Sequence, residues 1–416
     1  MNRKPIPVKE AVQRVVNEAK LLATETIPLE KANGRVLAEP IIAEHDVPPF
    51  NRSAFDGYAI RAEDSNNASE SSPVSFRVIG EIAAGDVANK PIANGEAYRI
   101  MTGGQLPQGA NAIVMLEDTV PTENGFSITK HFQPNDNISF QGEDAKKGDV
   151  QIPKGALIHA GTVALLATFG YANVQVAKRP VVSLLATGTE LLDVSEPLEP
   201  GKIRNSNGPM LQAQLDRLGL TCKSFHMMED DLDKCTEVVR EAVAISDIVI
   251  TTGGVSVGDY DYLPQIYDQL GAKVLFNKVM MRPGSVTTVA KIDDTLLFGL
   301  SGNPSACFTG FELFTRPAIY TMMGCNTPYL PRMKATLGEN FTKNNPFTRF
   351  IRASWELSKD GPVAVPAGFN KSSAVSSIAR GNCMIVLPSG TSGYTKGMEV
   401  DVLLLGQEQG VATWDL

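Results

Sequence analysis

The residues best suited to chemistry lie between Thr251 and Asp261, Thr-Thr-Gly-Gly-Val-Ser-Val-Gly-Asp-Tyr-Asp, where an apolar run ends and a helical pattern begins. Gly253, Gly254 and Gly258 carry no Cβ, so the backbone can take positive φ and turn its N–H groups toward a ligand. The next helix starts with its positive end at the same place. Such a turn cradles an anion. Its spacing matches neither G-x-G-x-x-G nor G-x-x-x-x-G-K-[ST], so neither a dinucleotide fingerprint nor a P-loop is indicated. Gly254 to Gly258 also fits G-x-S-x-G, with Ser256 as a hydrolase nucleophile. That chemistry takes a histidine after the serine, and His45, His131, His159 and His226 all precede it. The plainer reading, a strand-to-helix turn without a ligand, stays open on these residues alone.

Further polar groups follow other apolar runs nearby. They are Thr187-Gly188-Thr189-Glu190, Glu229-Asp230-Asp231, Lys278 with Met281-Arg282-Pro283-Gly284-Ser285, and Ser301-Gly302-Asn303-Pro304-Ser305. Carboxylates next to an anion cradle repel the ligand unless a divalent cation stands between them, and hard oxygen ligands suit Mg²⁺. Taken singly, each carboxylate reads as a helix cap, as Asp230 before Leu232 illustrates. Their convergence is what points to a phosphate-bearing ligand with Mg²⁺.

The elements that must position these groups are apolar strands alternating with helical segments over residues 179–326, the pattern of a parallel sheet covered on both faces. Strands are expected at Val181 to Ala186, Cys222 to Met227, Ile248 to Ile250, Lys273 to Val279, Thr287 to Ala290 and Leu296 to Gly299. Helices are expected at Pro209 to Leu218, Leu232 to Ala244, Pro264 to Leu270 and Ser305 to Phe314. In such sheets ligands bind beyond the carboxyl ends of the strands, where the polar groups above collect.

Around this core, Val8, Ala11, Val12, Val15, Val16 and Ala19 predict an amphipathic first helix, and Leu29 to Leu37 a second that Asn33-Gly34 interrupts. Residues 46–145 read as short strands broken by Gly, Pro and Asn, carrying two polar loops, Asn51 to Ala59 and Arg99 to Ala110. On residues alone these loops are a turn and a hairpin connection, although loops of this kind often carry function. Residues 146–178 return to helix, ending at Gly170, and strand, Asn173 to Ala177. With residues 1–45 they would form one elongated helical domain, making 46–145 an insertion. Residues 327–416 predict a β-barrel of about five strands, including Lys334 to Leu337, Phe350 to Leu357, Met384 to Leu387 and Val400 to Leu405, with a polar loop from Asn370 to Asn382.

Composition narrows the function classes. A net charge of −8 over 416 residues argues against a nucleic-acid or anionic-membrane partner. Five dispersed cysteines without C-x-x-C spacing read as reduced thiols, and the charged N-terminus lacks the apolar segment of a secretory signal, so a soluble cytoplasmic protein is expected. The stretch between Lys154 and Lys178 lacks acidic and basic charge, yet His159, Gly161, Gly170, Asn173 and Gln175 make it a poor membrane span.

Asn51 to Ala59, Arg99 to Ala110, Thr187 to Glu190, Thr251 to Asp261 and Gly302-Asn303-Pro304, in this order, resemble the molybdopterin molybdenumtransferase family, which includes the gephyrin E domain. The resemblance covers essentially the whole chain. It implies an elongated helical domain (1–45 and 146–178), an inserted β domain (46–145), a doubly wound α/β molybdopterin-binding domain (179–326) and a small C-terminal β-barrel (327–416). It also implies a homodimer in which the α/β rim of one subunit faces the inserted domain of the other. The activity implied is cleavage of adenylylated molybdopterin in a molybdate- and Mg²⁺-dependent reaction, with metal insertion and release of AMP. An adenylyltransferase would deliver the substrate, and molybdoenzyme-side acceptors would take the product.

By motif position, Asp56 and Thr102 would complete the site from the inserted domain, and Glu190, Asp230 and Asp261 would hold Mg²⁺ or polar ligand groups. Gly253, Gly254, Ser256 and Gly258 would contact phosphate, with Ser285, Ser301, Asn303 and Pro304 among the other ligand-binding positions. Lys278 and Arg282 would neutralise charge at the pyrophosphate and oxyanion, and Arg352 and Ser372 resemble positions near the oxyanion. Three departures stand out. Arg282-Pro283-Gly284-Ser285-Val286 replaces the frequent Lys-Pro-Gly-Lys-Pro, Ser301 replaces the proline of Pro-Gly-Asn-Pro, and Ser139-Phe140-Gln141 replaces an Arg-rich run before Gly142-Glu143-Asp144. The first loses one cation and leaves the choice between molybdate and tungstate open. Two alternatives accompany the main reading: a tungsten-inserting paralogue, and a non-catalytic pterin-binding scaffold.

Overall fold

The computed structural model describes residues 4–227, 231–253 and 262–406. The chain divides into two compact units. One takes the described residues of Met1–Ala38, Gly155–Ala160 and Asn173–Leu416, and the other takes Glu39–Lys154 and Gly161–Ala172.

In the first unit a six-stranded sheet runs in the order Cys222–Met227, Val182–Thr187, Ile248–Thr252, Thr295–Leu300, Thr288–Ile292, Lys273–Phe276. The first four strands are parallel. Alternate residues of each strand enter separate cores, as the two-residue side-chain period requires. Leu184, Ile248, Ile250 and Phe298 pack with Leu211 and Leu215 of helix Asn207–Arg217 and with Phe308 and Phe311. Leu185, Val249 and Leu297 pack on the opposite face with Val239 of helix Leu232–Ile245 and Ile266 of helix Leu263–Gln269. The expected parallel sheet is interrupted by one strand, Thr288–Ile292, which runs antiparallel to both its neighbours, Thr295–Leu300 and Lys273–Phe276. A parallel return needs a crossover of a dozen or more residues. Here only Asp293 and Asp294 join two strands, and Asp293 takes φ +49°, so a hairpin forms instead.

The first helix forms as its pattern predicts, Val8–Glu18, with Ala11 and Val15 fully buried. The helix expected over Leu29 to Leu37 is instead a single 3₁₀ turn, Leu29–Lys31, because Asn33-Gly34 breaks it and Gly34 takes φ +75°. Strand Thr24–Pro28 pairs antiparallel with Asn173–Ala177. The helix expected at Ser305 to Phe314 extends as Pro304–Gly310, a π turn at Phe311–Thr315 and Arg316–Met322. The π turn presents Glu312 to a buried polar cluster. Gln214 Nε2 donates to its Oε1 at 2.8 Å, Arg217 pairs with the same oxygen, and Arg316 Nε stands 4.0 Å from Oε2.

The C-terminal barrel closes through Thr348–Ser358, Gly361–Pro366, Arg332–Leu337, Glu399–Leu404 and Cys383–Leu387, which pairs back with the first. A sixth short strand, Met281–Arg282, runs parallel to its edge at Thr348 and Arg349. Within the loop expected over Asn370 to Asn382, a short helix forms at Ser376–Arg380.

The second unit holds a six-stranded sheet in the order Ala112–Met115, Gly57–Ile60, Glu96–Ile100, Val74–Ile82, Gly125–Ile128, Val120–Thr122. Helix Ala160–Thr168 ends where Gly170 takes φ +78° and Tyr171 N–H returns to Leu166 C=O at 3.0 Å, a Schellman-type stop. Among the described residues no helix is long and apolar enough to cross a membrane.

Glu312 is fully shielded from solvent, so removing it leaves the Arg217 and Arg316 guanidiniums without their carboxylate. Glu312→Ala should cost about 3–5 kcal/mol of unfolding free energy. Denaturant titration checks this, and a loss below about 1 kcal/mol, the scale of a surface pair, would show that the buried cluster is not structural.

Candidate functional site

Three strand ends converge on one cleft. After Val182–Thr187 the chain turns at Gly188, φ +138°, to reach Glu190. After Ile248–Thr252 it turns at Gly253, φ +88°, whose N–H bonds Leu300 C=O at 3.1 Å. A Cβ at Gly253 would stand 2.7 Å from Thr187 Oγ1 and 2.9 Å from Thr187 C=O, so only glycine fits. After Thr295–Leu300, Ser301-Gly302-Asn303 leads into helix Pro304–Gly310, with Pro304 at its first position. Asn207 Nδ2 holds Gly302 C=O at 2.8 Å. The cleft between these ends has a volume of about 490 Å³, and Glu190, Gly253, Ser285, Ser301, Asn303 and Ser372 line it.

A second cavity of about 340 Å³ shares Gly284, Ser285 and Ser372 with the cleft. Its lining has the opposite electrostatic character. Arg282, Arg349, Arg352 and Lys371 all face it, and among the described residues no carboxylate does. Arg352 is only 1% exposed. Its guanidinium donates to Ser377 Oγ at 3.3 Å, Lys371 C=O at 3.1 Å and Phe350 C=O at 3.5 Å, all neutral acceptors. Burial without a counter-ion pulls the Arg352 pKa down to about 10, so the side chain is still a cation at neutral pH but an undercompensated one. A tetrahedral dianion is a fitting complement for such a pocket.

The barrel loop that carries Ser372 is fixed to the α/β rim by two bonds. Ser305 N–H donates to Ser372 C=O at 3.0 Å, and Ser305 Oγ donates to Ala374 C=O at 2.6 Å. Ser305 is fully buried, so its hydroxyl finds its partner inside the protein. The cleft and the cationic cavity therefore share a wall of small, neutral residues.

In the second unit, the loops Asn51 to Ala59 and Arg99 to Ala110 are tied together. Ser53 N–H bonds Gly104 C=O at 3.0 Å, Gly103 N–H bonds Ser53 C=O at 2.9 Å, and Leu106 N–H bonds Asn51 C=O at 2.9 Å. Across this pairing Thr102 donates its N–H (2.7 Å) and its hydroxyl (2.9 Å) to the same oxygen of Asp56. The N–H bond, then the hydroxyl bond, hold the Asp56 carboxyl below the usual carboxylate range. Asp56 is thus an exposed, oriented carboxylate at neutral pH.

The structure therefore brings Glu190, Gly253, Ser285, Ser301 and Asn303 together with Ser372 at the cleft, and Arg282 and Arg352 together with Ser285 and Ser372 at the cationic cavity. Pro304 starts the adjoining helix. Lys278 is half-buried and lines neither of these two cavities. Asp230, Gly254, Ser256, Gly258 and Asp261 lie outside the described residues. Glu190 is consequently the described member of the expected acidic set, and among the described residues no group of three or more metal-ligating side chains is present. Arg349 and Lys371 are additions that the motif pattern did not single out as ligand-binding.

Known proteins match along the length of this chain. Residues 6–170 match the MoeA N-terminal region (domain I and II), residues 183–321 a probable molybdopterin binding domain, and residues 334–405 the MoeA C-terminal region (domain IV). The molybdopterin molybdenumtransferase of Staphylococcus aureus (strain COL) is 55% identical over 402 residues, 97% of this chain and 96% of that protein. That of Staphylococcus epidermidis (strain RP62A) is 52% identical over the same shares. The crystal structure of a molybdopterin biosynthesis moeA protein from Pyrococcus horikoshii OT3 superposes with a TM-score of 0.84 at 32% identity, covering 96% of this chain and all of that one. With matching models in register along the chain and relatives matched over nearly their full length, the chain belongs to the molybdopterin molybdenumtransferase family of molybdenum cofactor biosynthesis.

Proposed function

We propose that this protein inserts molybdenum into molybdopterin, taking the adenylylated pterin and molybdate and releasing AMP. The observation that carries the reading is the pair of adjoining cavities sharing Ser285 and Ser372, one polar with a carboxylate and one lined, among the described residues, by cations and no carboxylate. The polar cleft suits a pterin pyrophosphate, and the cationic cavity a tetrahedral oxyanion. Their common wall would place the oxyanion beside the substrate held in the cleft.

The chemistry asked of the protein is positioning and charge stabilisation. Gly253 would let backbone N–H groups approach phosphate, and Arg282 would offer a planar fork to the oxyanion or the leaving phosphate. No side chain is needed as a covalent nucleophile. Mg²⁺ fits the donor set, because it is commonly held by one or two carboxylates together with substrate phosphate oxygens. Glu190, with Asp230 and Asp261, would hold it, and the ion would offset charge on the pyrophosphate. The working unit would be a homodimer, with Asp56 and Thr102 of one subunit serving the cleft of the other. Molybdopterin adenylyltransferase and the molybdoenzyme-side acceptors would stand before and after this step.

The test is AMP release from adenylylated molybdopterin by purified protein with Mg²⁺, comparing molybdate, tungstate and no oxyanion. Molybdate-dependent release is expected. Release with tungstate alone would reassign the metal, and tight nucleotide binding without release under any oxyanion would indicate a binding module. Arg352→Met should lower molybdate-dependent turnover about 100-fold or more. It should leave the thermal midpoint unchanged or raised, because it removes a buried, undercompensated charge. Parallel loss of stability and activity would assign Arg352 to the fold instead. Mixing inactive Asp56→Asn with inactive Arg352→Met subunits should restore part of the activity through hybrid dimers, and no recovery after subunit exchange would contradict the shared site.

A further inference from the structure

The cationic cavity contains a guanidinium pair that strand pairing sets in place. Met281–Arg282 forms a short parallel ladder with the start of strand Thr348–Ser358, and Arg282 is the direct register partner of Arg349. Like charges facing each other across a ladder are unfavourable, and here both side chains line the same cavity, where no described residue offers them a carboxylate. Arg349 is also a built-in group. Its Nε donates to Asn345 Oδ1 at 2.9 Å, and Asn345, 1% exposed, is itself pinned by its N–H to Thr391 C=O (2.8 Å) and its C=O to Gly390 N–H (2.7 Å). The Arg349 guanidinium lies over the Phe341 ring at 5.1 Å. Among the described residues its two Nη groups have no protein acceptor. Burial first, and the Arg282 charge second, push the Arg349 pKa down. An oriented cation with free donors, held against another cation, is arranged for an anion that neither finds among the described residues.

We propose that Arg349 is a second oxyanion-binding cation, forming with Arg282 a two-guanidinium clamp that supplies from the barrel strand the positive charge that position 285 lacks. The clamp rests on reading the cavity as the oxyanion site. Ser285 lines both cavities and carries only a hydroxyl. Two planar forks from two strands would bind a tetrahedral dianion at four N–H positions, each bond strengthened by charge. The anion would remove the Arg282–Arg349 repulsion. Oxyanion binding would then stiffen the seam between the Met281–Arg282 segment and the barrel.

The test titrates molybdate in the AMP-release assay and measures molybdate binding to the full chain by calorimetry without pterin. Arg349→Gln should raise the half-saturating molybdate concentration and the dissociation constant about 10- to 100-fold, the loss of one charge-assisted bidentate contact. AMP release at saturating molybdate should stay within about threefold, as for an interaction made equally in ground and transition states. Arg349→Lys, keeping the charge without the fork, should fall between parent and Arg349→Gln. The double variant Ser285→Lys/Arg349→Gln should recover most of the lost affinity. If Arg349→Gln titrates within about twofold of the parent, the clamp is wrong while the oxyanion site stands. If the parent itself neither binds molybdate nor responds to it, the site reading falls and the clamp with it.

Discussion

A guanidinium buried without a carboxylate is the constraint around which this molecule is arranged. Arg352 lies 1% exposed on the wall of a cationic cavity and, among the described residues, leans on neutral acceptors alone. Taking such a charge out of water costs several kcal/mol, even after relaxation. The fold tolerates this by surrounding the guanidinium with fixed dipoles and by closing the barrel about it. Phe350 and Ile351, which flank it on the cavity wall, belong to the strand that completes the barrel circuit. The 281–285 segment, which joins the edge of the barrel sheet, contributes the other wall, and the Ser305 bonds tie the barrel loop to the helix that follows the α/β strand. Residues of this seam line both cavities.

This seam divides the labour between two neighbouring cavities. Strand ends of the α/β sheet make a cleft with one described carboxylate and glycine turns, which accommodates a polar ligand with its own phosphate charge. The barrel side makes a cavity whose described charged residues are all cations. Gly284, Ser285 and Ser372 stand between them, small enough to keep the two contents adjacent. A carboxylate in the cationic cavity would pair with an arginine and cancel its use. Its absence there among the described residues, and its presence in the cleft, follow the charges that each cavity is proposed to receive.

Much of this was legible in the sequence. The strands Cys222–Met227 and Ile248–Thr252 and the helix Leu232–Ile245 follow directly from apolar period and length, and the residues after them had only to be read at the strand ends. The barrel was legible as short strands, and Ser372 and Arg352 were reached through resemblance. Arg349 was not. Strand geometry sends residues three apart to opposite faces, so nothing in the local pattern groups Arg349 with Arg352. The grouping comes from a contact across sixty-odd residues of chain, the Arg282–Arg349 register, which no periodicity encodes. The Asn33-Gly34 break was visible but not that it shortens the helix to a 3₁₀ turn at Leu29–Lys31, and the one antiparallel strand, Thr288–Ile292, was missed for a related reason. Each is decided by a turn, at Asn33-Gly34 and at Asp293-Asp294, that overrides the apolar pattern around it.

The central claim is that the cavity between the 281–285 segment and the barrel is an oxyanion site. Tungstate is a heavy tetrahedral analogue of molybdate, and its anomalous scattering from a crystal of the full chain would locate it directly. A single strong peak within hydrogen-bonding distance of Arg282, Ser285 and Arg352 is the predicted result. A crystal containing saturating tungstate with no density in this cavity would contradict the claim.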